Sequence, residues 1–99
     1  MNRRRARVVV YTRARCGLCR RAEALVAREA RRAEVHHVDV DTDPDLVGRY
    51  GVRVPVIEVD GVEVAELELA PGTVRRAVRS ARRRARDRAP ELGGRGAAP

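Results

Sequence analysis

The chain has 99 residues, 43% of them hydrophobic, with no Phe or Trp, two Tyr and a formal charge of +8. That length supports one domain around one core of Val, Leu, Ile and Ala, and excludes two. No apolar run approaches the ~20 residues of a membrane span. The few apolar residues after Arg3-Arg4-Arg5 are too short a run for a secretory leader, so a cytoplasmic protein is expected. All 22 basic residues are arginine, and they occur along the whole chain instead of in one block. This reads as codon preference, so neither nucleic acid nor a membrane is expected as a partner.

Val8-Val9-Val10 is β-branched and unbroken and predicts a buried first strand over residues 7–12. The only two cysteines follow, in Cys16-Gly17-Leu18-Cys19. They open a helix over about residues 17–32, with Ala22, Leu25, Val26 and Ala30 as its core-facing stripe. Residues 34–41 alternate, placing Val38 and Val40 on one face and Asp39 and Asp41 on the other, which predicts a second strand. Asp43-Pro44 supplies an N-cap and a first-turn proline, and Gly51 closes a short helix as its C-terminal glycine. Strands over 56–59 and 62–67 flank Asp60-Gly61, a two-residue hairpin signal. Ala70-Pro71-Gly72 turns into a last helix over 73–88, with Val74, Ala77, Val78, Ala81 and Ala85 as its stripe. Residues 89–99, mostly Pro, Gly and Ala, are expected to form a disordered tail behind a single domain over 1–88. The order β-α-β-α-β-β-α, with a right-handed first crossover, gives an α/β fold: a four-stranded mixed sheet with helices on both faces.

Two cysteines three apart at a helix start place both sulfurs on one side of the first turn, within bridging distance. The first lies beside unsatisfied backbone N–H groups and the positive end of the helix dipole. Cys16 is therefore the candidate nucleophile and Cys19 the thiol that resolves its mixed disulfide. Arg13 and Arg15 before the pair, with Arg20 and Arg21 after it, reinforce a lowered Cys16 pKa. Half of a zinc site is the alternative, but zinc wants four ligands and no second cysteine pair exists. His36 and His37 lie on a strand, one facing in and the other out, and Tyr11 and Tyr50 read as packing at the core edge. Leu18 reads equally as the lip of the site and as the start of the helix's core stripe. Arg13, Arg49 and Arg53 are candidates for binding carboxylates of an anionic partner.

Three stretches resemble the glutaredoxin-like proteins of the thioredoxin-fold superfamily: Cys16-Gly17-Leu18-Cys19, Val38-Asp39-Val40-Asp41-Thr42-Asp43-Pro44 and Tyr50-Gly51-Val52-Arg53-Val54-Pro55-Val56. The resemblance covers about residues 7–85. It implies a thioredoxin-like fold and a thiol–disulfide oxidoreductase that reduces protein or low-molecular-weight disulfides. It also implies a cis Pro55 opposite the dithiol, where trans is the default from sequence alone. Val54 and Pro55 would then bind substrate, together with Leu18 and with Arg13, which matches a basic position of glutaredoxins. No Trp precedes Cys16, Arg53 stands where the family has Thr, and the Gly-Gly-x-x-Asp segment that grips glutathione is missing. The implied protein is monomeric and holds no cofactor tightly, with glutathione or a dithiol as reductant. Two alternatives use the same fold: a basic module binding RNA or an acidic protein, and an iron–sulfur carrier.

Overall fold

The computed structural model describes residues 5–94, with side chains over 5–87. The chain forms β1 (Arg7–Thr12), α1 (Gly17–Glu29), β2 (Glu34–Asp39), α2 (Pro44–Tyr50), β3 (Val56–Val59), β4 (Val62–Glu66) and α3 (Thr73–Gly94). The strands make one sheet in the order β2-β1-β3-β4. β1 pairs parallel to β2 and antiparallel to β3, and β3 pairs antiparallel to β4. The expected mixed α/β sheet is present. No helix among the described residues is long and apolar enough to cross a membrane.

Strand alternation decides which side each residue serves. Val8 and Val10 of β1, with Ile57 and Val59 of β3, are buried on the face covered by α1 and α3. There they meet Ala22, Val26 and Ala30 of α1 and Val74, Val78 and Ala81 of α3. On the other face, Tyr11 stacks on Tyr50 of α2 with ring centroids 4.0 Å apart. Both hydroxyls donate to the half-buried Glu58 carboxylate, at 3.4 and 3.3 Å. Burial and the Tyr50 hydroxyl together raise the Tyr11 pKa, so the phenol stays protonated. The seven-residue α2 covers only part of this face, so Val9 is half-buried and His36 pairs with Glu34 at 2.9 Å. His37 on the other face is exposed because β2 is an edge strand, so neither histidine turns into the core.

The hairpin turn behaves as its sequence requires. Asp60 and Gly61 both have positive φ, 49° and 85°, the pattern of a primed turn. Other boundaries shift for local reasons. β2 stops at Asp39, because its carboxylate accepts from the Asp41 N–H at 2.9 Å and a 3-10 turn over Val40–Thr42 follows. Gly51 does follow α2, but with φ −52° and not in the left-handed region. A Cβ there would sit 2.5 Å from the Val47 carbonyl, so close approach is what demands glycine. Leu25 is only half-buried, while Ala22, Val26 and Ala30 fill the core. α3 runs past its expected end near Arg88 to Gly94, and of the expected tail residues 95–99 lie outside the described residues.

α1 ends at Glu29, short of the expected residue 32, and Glu29 has a second role. Its side chain is 4% exposed and accepts the backbone N–H groups of Gly72 at 2.7 Å and Arg75 at 3.2 Å. It thus caps the start of α3 from another helix. Burial opposes the charge, but the N–H donors and the Arg75 guanidinium outweigh it and hold the Glu29 pKa below its usual value. A group depressed on folding contributes stability above its unfolded pKa and loses it as pH falls through the folded value. Glu29→Gln should therefore cost about 1–2 kcal/mol at neutral pH and remove that part of the acid-side loss, measured by urea midpoints across pH.

Candidate active site

β1 and β2 run parallel, and the loop from Thr12 brings Cys16 to their carboxyl end, where open α/β sheets place ligands. Arg15, just before Cys16, has φ 57°, an uncommon conformation for a non-glycine residue and one that turns the chain sharply into α1. Cys16 is the N-cap of α1, and its Sγ accepts the Cys19 N–H at 3.1 Å. The two cysteines form a disulfide with Cα atoms 5.1 Å apart. Cys16 is half-buried, whereas Cys19 is fully buried one turn deeper. Of the two, only Cys16 retains exposure to solvent. No acid occupies the first turn of α1.

The sulfurs pack on one small cluster: Cys19, Val40, Tyr50, Val54 and Val56, with Cys16, Tyr11 and Leu46 against it. Val54 and Pro55, expected from sequence to flank the dithiol, are buried here, and the Val54–Pro55 peptide bond is cis. Among the described residues, neither main-chain polar group of Val54 has a backbone partner. The Leu67 N–H, by contrast, bonds the carbonyls of Pro55 at 2.8 Å and Arg53 at 3.2 Å, tying the loop after β4 to the proline loop. Leu18 is half-buried and outside both core clusters, so it does not begin the core stripe of α1. It lines an open groove of about 390 Å³ with Leu25, Leu67, Leu69 and Pro71.

The arginines divide into two kinds. Arg13 donates to both oxygens of Asp41, at 2.5 and 3.1 Å, and to the Gly51 carbonyl at 3.0 Å. That side-chain bond raises the Arg13 pKa and lowers that of Asp41. Arg13 is thus engaged in fastening three loops around the dithiol. Arg20 similarly reaches Thr12, the Arg13 carbonyl and Glu23, and Thr12 donates to Glu23 at 2.6 Å. Arg53 is held by Glu63 and Glu66, both at 2.9 Å, and its bond to Glu63 keeps that carboxyl below its usual range. Arg49 lies 5.7 Å from the Tyr50 ring centroid. Arg15 and Arg21 remain as exposed cations next to the pair in sequence.

Sequence reasoning missed Asp41, Gly51, Thr12, Glu23 and Glu29 as site or scaffold partners, and their spacing carries no signal. Among the described residues no three His, Cys, Asp or Glu side chains converge as a metal site.

A four-stranded mixed sheet with a cysteine pair at the first helix and a cis-proline beside it defines a thioredoxin-like fold with a CxxC site. Residues 7–81 match the family model described as Glutaredoxin-like domain (DUF836). The chain belongs to that family. Among solved structures it is similar to XcR50, a structural-genomics target protein from X. campestris, with 30% identity and a TM-score of 0.63 over 74% of this chain and 96% of that one. It is also similar to a mutant thioredoxin from Halobacterium salinarum, 27% identical with a TM-score of 0.59 over 78% and 74% of the two chains. Chloroplastic thioredoxin z, 21% identical over 79% of each chain with a TM-score of 0.57, shares the fold. No curated protein matches the chain significantly.

Proposed function

We propose that the chain is a cytoplasmic, monomeric thiol–disulfide oxidoreductase that reduces protein or low-molecular-weight disulfides. One observation carries this reading: an accessible Cys16 at the mouth of α1 is bonded to a Cys19 that is 0% exposed. In the reduced protein the Cys16 thiolate attacks a substrate disulfide, forming a new S–S bond and expelling one substrate thiolate. Cys19 then attacks Cys16 Sγ, releasing the second substrate thiol and leaving the intramolecular disulfide, so two electrons pass to the substrate. Two glutathione molecules, leaving as their mutual disulfide, or one dithiol, leaving as its own disulfide, return the pair to its reduced form. Leu18 at the lip and the main chain of Val54 beside Pro55 support a docking edge for an extended substrate. With Arg13 engaged by Asp41, its part is to steady the cysteine loop, and an ion pair to substrate through it is not needed.

The same geometry favours an ionised Cys16. The Cys19 N–H donates to the sulfur at the helix start, no first-turn acid opposes it, and Arg15 and Arg21 add positive potential. Alkylation of the reduced protein by iodoacetamide should titrate with a midpoint in the range of about 3.5–7.5. A midpoint near the free-cysteine value of about 8.5 would remove this electrostatic argument. Failure of the reduced protein to accelerate dithiol-driven reduction of insulin or of a small aryl disulfide would reject the oxidoreductase reading itself.

A further inference from the structure

We propose that α3 is a second working surface, one that grips the phosphate backbone of duplex nucleic acid without regard to sequence. The charge count is the starting point. Residues 73–87 carry seven arginines and one acid, Asp87, so six of the eight net positive charges fall on this helix. The other arginines are nearly balanced by acids, several of them in the ion pairs of Arg13, Arg20 and Arg53. Codon preference accounts for arginine in place of lysine, but not for this segregation.

Helical geometry sharpens it. At 100° per residue, Arg75, Arg76, Arg79, Arg82, Arg83 and Arg86 fall within an arc of about 120° and span about 16 Å of axis. All six are exposed, and the opposite side of the helix is fixed in the core through Val74, Val78 and Ala81. Only Arg75 has an acidic neighbour within 4.0 Å among the described residues, Glu29 at 3.8 Å. The result is a stripe of arginines along one side of an anchored helix, each guanidinium able to bond two phosphate oxygens.

Three features select the partner. Over the described side chains of α3, Val74, Val78 and Ala81 are buried in the core and Ala77 packs against it, which leaves no continuous hydrophobic face there to enter a lipid interface. Residues 73–87 include no aromatic on which single-stranded bases would stack. They also include no Asn or Gln to read adenine edges, and six arginines spread along one helix side match the repeating phosphates better than scattered guanines, which assigns the contact to the backbone.

Fluorescence anisotropy of a labelled mixed-sequence DNA duplex tests the idea, with the same duplex in RNA, phosphatidylserine vesicles and polyglutamate as competing arms. Six phosphate contacts predict a slope of log K against log salt near about −5, so affinity falls roughly a thousandfold between about 50 and about 200 mM salt. R79E/R83E should weaken binding at least about tenfold and reduce the slope by about 2. R5E/R49E makes the same change in charge away from α3 and should leave the slope unchanged. A common slope for DNA and RNA duplexes supports backbone recognition. Absence of binding at the lower salt, equal loss in both double variants, or tighter binding to vesicles or polyglutamate overturns the proposal. Circular dichroism of each variant shows that the fold persists.

Discussion

Cys16→Ser should remove the proposed disulfide exchange, a loss on the order of 10³-fold or more, because the remaining thiol, Cys19, is fully buried. Cys19→Ser has a different signature. Its Cys16 still attacks, but nothing resolves the product, so a covalent adduct with the substrate accumulates and registers by intact mass. The asymmetry follows from burial: Cys16 is half-buried and Cys19 fully so. Equal residual rates in the two variants, or an adduct on Cys16→Ser, would reverse the assigned roles. In a cell extract, the adduct of Cys19→Ser would identify the physiological substrate.

Ile57→Ala should destabilise the protein by about 2–5 kcal/mol. Ile57 is 0% exposed and is the largest fully buried side chain in a core otherwise built from valine and alanine. Short, stiff neighbours have little reach with which to fill the space, which favours the upper part of that range. Domains of this size are commonly stable by about 5–15 kcal/mol, so the change is a large share of the whole. The urea midpoint should fall at constant slope, whereas Val62→Ala, at a position 55% exposed, should stay within about 0.5 kcal/mol. A drop below about 1 kcal/mol for Ile57→Ala would contradict the packing described for the α1/α3 side of the sheet.

Period and turn chemistry made most of the architecture legible. Val8-Val9-Val10, the stripe of α3 and Asp60-Gly61 each carry a local signal that tertiary structure upholds. Cys16 and Cys19 were legible too, since spacing at a helix start places them within bonding reach. What escaped depends on contacts across long stretches of chain. Arg13 matched a basic position of glutaredoxins, yet its partners Asp41 and Gly51 lie 28 and 38 residues away. Asp41 itself read as the outward side of a strand, until the Asp39 carboxylate captured its N–H and bent the backbone. Arg53 likewise found Glu63 and Glu66 across the hairpin. Pro55 was decided only by family resemblance, because a dipeptide alone favours trans.

The carboxylate of Glu29 has a consequence for how the molecule comes apart. Its donors at Gly72 and Arg75 are 43 and 46 positions further along the chain. Detaching either helix would break both N–H bonds to the carboxylate and bare the amide end of α3, so neither can fray independently at that junction. Opening there is shared, and the two helices should exchange their protected amide hydrogens as one unit.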